Sequence, residues 1–177
     1  MGTFCFTISL QKGRNDMTTS TNLATTSREW GLVITRTVNA PRELVFKAWI
    51  DQKLMAQWWG PDGFTNPVCE LDLRPGGTIR INMRGPDGTV YPMKGAFREI
   101  KEPERLVFTS SALEDEKGDP QLENLNTITF VGLGKKTKLT VQADVVKSTP
   151  AAEGALAGME EGWKQSLSRL EELLAKN

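Results

Sequence analysis

From Gly158 to Leu174 the chain reads GMEEGWKQSLSRLEELL, and Leu156, Met159, Trp163, Leu167, Leu170 and Leu174 recur at steps of three or four, the period of one helix face. The long stretch before it reads almost entirely as strands and turns. A helix with such a stripe must bury it, and the only large partner on offer is an antiparallel sheet. The pattern therefore predicts an α+β domain in which a curved sheet grips one long helix, an arrangement that tends to leave a hollow between the two layers.

The 177 residues suit one domain with a substantial core and room for a pocket. Lys plus Arg and Asp plus Glu both total 22, with no long run of like charge, so the electrostatic footprint for nucleic acid or an anionic membrane is missing. No nucleic-acid or membrane partner is expected. The chain contains no histidine, which removes the commonest general base, the usual zinc ligand and every Ser-His or Cys-His pair. Carboxylates, lysines and Tyr91 remain for acid-base work, so an enzyme is disfavoured rather than excluded. Cys5 and Cys69 lie in unrelated segments and form neither a disulfide framework nor a metal-binding pair. No metal or cofactor is expected, and a reducing cytoplasm is the simplest compartment.

Residues 1–28 differ from the rest. Phe4 to Leu10 is apolar but too short to span a membrane, lacks preceding basic residues and has no small-residue cleavage pattern after it. Phe6 stands where a myristoylation pattern needs Ser or Thr. Met17 to Ser27 is rich in Ser and Thr and reads as a solvated tail, with Met17 itself a candidate natural start. The expected division is a disordered or non-native tail over 1–28 and the folded domain over 29–177.

Along the domain, Trp30 to Val38 alternates as a first strand. Pro41 opens a short helix with Leu44, Val45, Ala48 and Trp49 on its apolar face, and Asp51 caps a second that ends at Trp58-Trp59-Gly60-Pro61. Cys69, Leu71 and Leu73 alternate with Glu70 and Asp72. After the Arg74-Pro75-Gly76-Gly77 turn, Ile79, Ile81 and Met83 alternate with Arg80, Asn82 and Arg84. Gly85-Pro86-Asp87-Gly88 leads into Tyr91, Met93, Gly95 and Phe97, where Pro92 and Gly95 suggest an edge strand or a bulge. Strands over Leu106 to Ser110, Thr127 to Val131 and Leu139 to Val145 complete a sheet of six or seven strands. The last helix is expected from a Thr149 cap and Pro150 to about Lys176, roughly 40 Å long.

The motifs APRELVFKAWID with MAQWWGPDGF, LDLRPGG with GPDGTVYPMKGAFREIKEPERLVFT, and GMEEGWKQSLSRLEELL occur in this order. Together they resemble the START-like or Bet v 1-like helix-grip superfamily, also called SRPBCC, and within it the bacterial branch related to the activator of heat-shock protein 90 ATPase. The resemblance covers about Trp30 to Lys176. It implies a helix-grip fold, a ligand cavity between sheet and C-terminal helix, and, through the chaperone activator, a second reading as a protein-interaction domain with a chaperone partner. Cyclases and aromatic hydrolases in the superfamily make a third, enzymatic reading.

The leading expectation is that a small apolar or amphipathic molecule binds in this cavity. Its wall is expected from Trp58, Trp59, Phe64, Ile79, Ile81, Met83, Tyr91, Phe97, Phe108, Met159 and Trp163, with Tyr91 as the polar handle. Trp58 and Trp59 read either as core anchors or as a cover over the cavity mouth. Gly154, Gly158 and Gly162, four residues apart, mark close backbone packing or space for a ligand, and packing is the favoured reading. Glu70 and Asp72 are expected to face solvent, Cys69 to be an inert buried thiol, and Glu160 with Lys164 and Glu172 with Lys176 to pair across single helix turns. No catalytic residue is assigned.

Overall fold

The computed structural model describes residues 31–176. The chain divides into two units, 1–31 and 32–177, and apart from Gly31, which opens the first strand, only the second is considered below. The expectations for the tail over 1–28, Cys5, Met17 and Trp30 lie outside the described residues.

The order is β1 (Gly31–Val38), α1 (Arg42–Ile50), α2 (Gln52–Trp58), β2 (Thr65–Leu71), β3 (Thr78–Arg84), β4 (Val90–Lys101), β5 (Arg105–Glu114), β6 (Pro120–Leu133), β7 (Lys136–Ser148) and α3 (Glu153–Leu174). One curved seven-stranded sheet runs β1-β7-β6-β5-β4-β3-β2, an α+β helix-grip fold. From β2 to β7 each strand pairs with the next through a hairpin, as alternation and turn residues dictate. The exception is the step from β1 to β2, which lie at opposite edges. That connection has to cross the width of the sheet, and α1 and α2 make the crossing.

Both short helices are fixed by local chemistry. The Asp51 carboxylate accepts from the backbone N–H groups of Lys53 (2.9 Å) and Leu54 (3.2 Å), capping α2. The buried face of α1 is Val45, Phe46, Ala48 and Trp49, whereas Leu44 is 46% exposed. Val45, Ala48 and Trp49 face inward as expected, and Phe46 takes the place expected for Leu44, packing edge-on against Phe130 of β6 at 5.1 Å. Trp49 and Trp58 pack at 4.7 Å, and the Trp58 indole N–H donates to the Ala48 carbonyl at 2.9 Å.

Several boundaries differ from expectation. β4 lies between β3 and β5, so it is a central strand and not an edge. The irregularity in its pairing with β5 falls between Phe97 and Glu99, not at Pro92 or Gly95. Gly95 answers a different need: a Cβ there would sit 1.9 Å from the Thr109 carbonyl oxygen of β5, so only glycine permits this approach. Leu73 falls beyond β2 and is exposed. β6 begins at Pro120, well before the expected Thr127, because Asn124 and Asn126 occupy inward positions and interrupt its apolar alternation. α3 spans 22 residues, or about 33 Å. A 3-10 turn over Pro150–Ala152 precedes it, and the Thr149 hydroxyl bonds the Gln121 side chain (2.8 Å) instead of capping the helix. Lys164 pairs with Glu160 at 2.6 Å, but no Glu172–Lys176 pair forms among the described residues.

Candidate ligand-binding site

Burial along α3 is graded. Leu167 and Leu170 are fully buried, whereas Leu156, Met159 and Trp163, one to three turns earlier on the same stripe, are only half-buried. The C-terminal half of the helix therefore seats on a filled core, and its N-terminal half stands over space. That space is a cavity of about 170 Å³. It is on the scale of an engineered protein cavity of about 150 Å³ that admits benzene.

Each side of the cavity comes from a different element. The α2–β2 connection supplies Trp59, Gly60 and Pro61; β3 supplies Met83, and β4 Met93. β5 contributes Ser110, Ser111 and Ala112; β6 contributes Leu122, Asn124 and Asn126; α3 closes the roof with Ala155, Met159, Gly162, Trp163 and Ser166. Pairing aligns these positions: Met93 lies opposite Ala112 and Ala112 opposite Leu122, with Ser110 opposite Asn124 in the adjacent row. Trp59 and Trp163 meet edge to face at 5.4 Å, and Trp163 also stacks on Trp49 at 6.2 Å. A second hollow of about 220 Å³, lined by Met83, Val90, Tyr91, Pro92, Ala112, Leu113 and Glu114, shares Met83 and Ala112 with the first.

Of the residues expected in the wall, Trp59, Met83, Met159 and Trp163 line the cavity. Trp58, Ile79, Ile81, Phe97 and Phe108 do not. They are buried to 3% exposure or less in the solid core beneath α1, α2 and the C-terminal half of α3, where neighbouring side chains already fill the volume. Tyr91, expected as the polar handle, is 39% exposed at the start of β4, packs against Phe64 at 5.8 Å and lines only the second hollow. Phe64 reaches neither space. Gly154 and Gly158 have nothing within 4 Å of a built Cβ and Gly162 meets only Pro61, so the favoured packing reading of these glycines is corrected to open space.

The polar residues of the cavity were missed by sequence reasoning. Asn126 is 1% exposed and its Nδ2 donates to Ser110 Oγ at 2.9 Å and to the Phe108 carbonyl at 3.4 Å. A carbonyl only accepts, which identifies the nitrogen and leaves Oδ1 as the free atom. The Oδ1 atoms of both Asn126 and Asn124 are buried and have no hydrogen-bond partner. The signal that marks them is a pair of asparagines two residues apart, in register with Leu122, Ile128 and Phe130 on one strand face.

Arg169 of α3 ties down the α2–β2 connection that forms one wall. Its Nη1 donates to the carbonyls of Trp59 (3.3 Å), Gly60 (2.9 Å) and Pro61 (2.9 Å), and its Nη2 to those of Gln57 (3.1 Å) and Phe64 (3.0 Å). Asn66 adds bonds from Nδ2 to the Ala56 and Trp59 carbonyls. A cation thus sits where the C-terminal carbonyls of α2 converge, the favourable end of that helix for positive charge.

No ionisable side chain lines the first cavity. Glu70 pairs with Arg80 and Asp72 with Arg74 on the exposed face, as a solvated reading of these carboxylates requires. Burial pushes the Cys69 thiol up to about 11, the neighbouring Glu70 charge adding to the effect. A thiol so shifted is a poor nucleophile. Among the described residues no group of three or more His, Cys, Asp or Glu side chains is placed to hold a metal, and no helix is long and apolar enough to cross a membrane.

The family model for Activator of Hsp90 ATPase homolog 1-like protein matches residues 39–175. The chain belongs to that family. Solved structures agree: a Nitrosomonas europaea protein is 28% identical, with a TM-score of 0.70 over 84% of this chain and 96% of its own. An Arthrobacter aurescens protein is 25% identical, with a TM-score of 0.73 over 85% and 89%. A Silicibacter pomeroyi AHSA1 protein is 26% identical, with a TM-score of 0.67 over 82% and 97%. No curated protein matches. Membership in the AHSA1 family, within the SRPBCC or Bet v 1-like superfamily, marks the domain as one for ligand binding or protein interaction.

Proposed function

We propose that this AHSA1-family domain binds one small, mainly apolar molecule in the cavity between the sheet and the N-terminal half of α3. The observation that carries the reading is that the half-buried Met159 and Trp163 of α3 stand over a space walled by Trp59, Met83, Met93 and Ala112. Apolar side chains left in this way favour a guest that removes them from water, at roughly 25 cal/mol per Å² of apolar surface covered.

Ethylbenzene is a suitable probe. It should raise the thermal midpoint in a concentration-dependent way and alter tryptophan emission through Trp59 and Trp163. Met83→Trp should abolish both effects while the domain keeps its midpoint, because the added ring enters empty volume. In a filled core the same substitution overpacks and costs about 1 to 3 kcal/mol. No response to ethylbenzene, together with that loss of stability, would move the protein-interaction reading to first place.

A further inference from the structure

We infer that the natural guest is neutral and carries a hydroxyl or N–H group that donates to the free side-chain oxygens of Asn126 and Asn124. The inference rests on the cavity-binding reading and adds a chemical class to it. Several donors of the cavity wall are already used: Ser166 Oγ bonds the Gly162 carbonyl, Ser111 Oγ the Lys94 carbonyl, and Asn126 Nδ2 donates to Ser110 Oγ and the Phe108 carbonyl. The two asparagine Oδ1 atoms remain, buried and unpartnered. A buried acceptor without a partner is costly, so two of them side by side on β6 select a guest that brings a donor.

Charge narrows the class further. A carboxylate would meet two acceptor oxygens with no cation in the cavity wall, and an ammonium would be stripped of water with no carboxylate to receive it. An alcohol, a phenol or a neutral N–H heterocycle meets neither penalty, and its apolar body lies against the Trp59, Met93 and Trp163 side. Sites that hydrogen-bond a guest's O–H or N–H also reject analogues lacking it.

The test uses three probes of similar shape in calorimetric titrations: 4-ethylphenol, 4-ethyltoluene and 4-ethylbenzoate. The phenol should bind at least as tightly as the toluene, although water holds the phenol far better, and more than tenfold tighter than the benzoate. In Asn126→Leu the phenol-to-toluene affinity ratio should fall at least tenfold. Asn124→Leu supplies a second variant, and in the wild-type chain the Asn126 side-chain amide resonances should shift with phenol and not with toluene. All three probes binding with a ratio unchanged by either variant would overturn the donor class while leaving the cavity reading intact. The benzoate binding tightest would overturn it in favour of an anionic guest. If none of the three binds, the cavity reading fails and the inference with it.

Discussion

Removing the Arg169 guanidinium should be among the most costly changes on the surface of this domain. Its five bonds converge on carbonyls at the C-terminal end of α2 and along the connection that forms one wall of the cavity. A hydrogen bond to a charged group contributes about 1.5 to 3 kcal/mol net. Bonds from one side chain do not add, and the Gln57 carbonyl lies where water can replace the arginine, so two effective bonds are the better measure. Arg169→Met keeps the aliphatic stem and should cost about 3 kcal/mol. At about 2 to 4 °C per kcal/mol for a domain of this size, the midpoint should fall by about 6 to 12 °C. Arg169→Lys keeps the charge but loses the planar fork and should recover only part of the loss. Urea unfolding with an unchanged slope would show that the native state itself is destabilised. A loss below about 1 kcal/mol in Arg169→Met would refute the reasoning, because water would then be satisfying those carbonyls as well as arginine does. The same variant should weaken ethylbenzene binding at temperatures where the protein is still folded, since the Trp59–Pro61 wall is no longer tied to α3.

Two other sites give sharp expectations. The Cys69 thiol is raised in the fold from an ordinary value near 9 to about 11, so its contribution is fully present below pH 9 and is lost as pH climbs through 11. Cys69→Val should therefore flatten the fall in stability between pH 9 and 11, and the native thiol should resist iodoacetamide at pH 8; rapid alkylation of folded protein would contradict this. Gly95→Ala drives a methyl group into the Thr109 carbonyl and should cost about 3 kcal/mol or more by thermal unfolding, whereas Gly158→Ala, with open space around it, should be neutral or stabilising by about 1 kcal/mol. Equal effects at the two glycines would show that the β4–β5 approach is looser than described.

The fold was legible because each level of the sequence agreed with the next. Alternation in β3 and β7, the glycine and proline turns, the Asp51 cap and the α3 stripe all point to the same topology. The site was less legible, for physical reasons. Periodicity says which face of a strand is inward, but not whether the inward volume is filled, and so Ile79, Ile81, Phe97 and Phe108 could not be told from Met83. Asn124 and Asn126 lie before the expected strand start at Thr127 because strand recognition relies on apolar alternation, which polar residues in the cavity wall interrupt. Nothing in the local sequence singles out Arg169; its role depends on carbonyls over a hundred residues away in sequence, brought together only by the fold.

Methionine methyl groups offer the most direct measurement of the central claim. Met83, Met93 and Met159 line the cavity from three elements, whereas Met55 is buried in the solid core under α2. With carbon-13-labelled methionine methyls, 4-ethylphenol in saturating amounts should give intermolecular nuclear Overhauser effects to Met83, Met93 and Met159 and none to Met55. Effects absent at all three cavity methyls, or appearing only at Met55 or at exposed sites, would contradict the account.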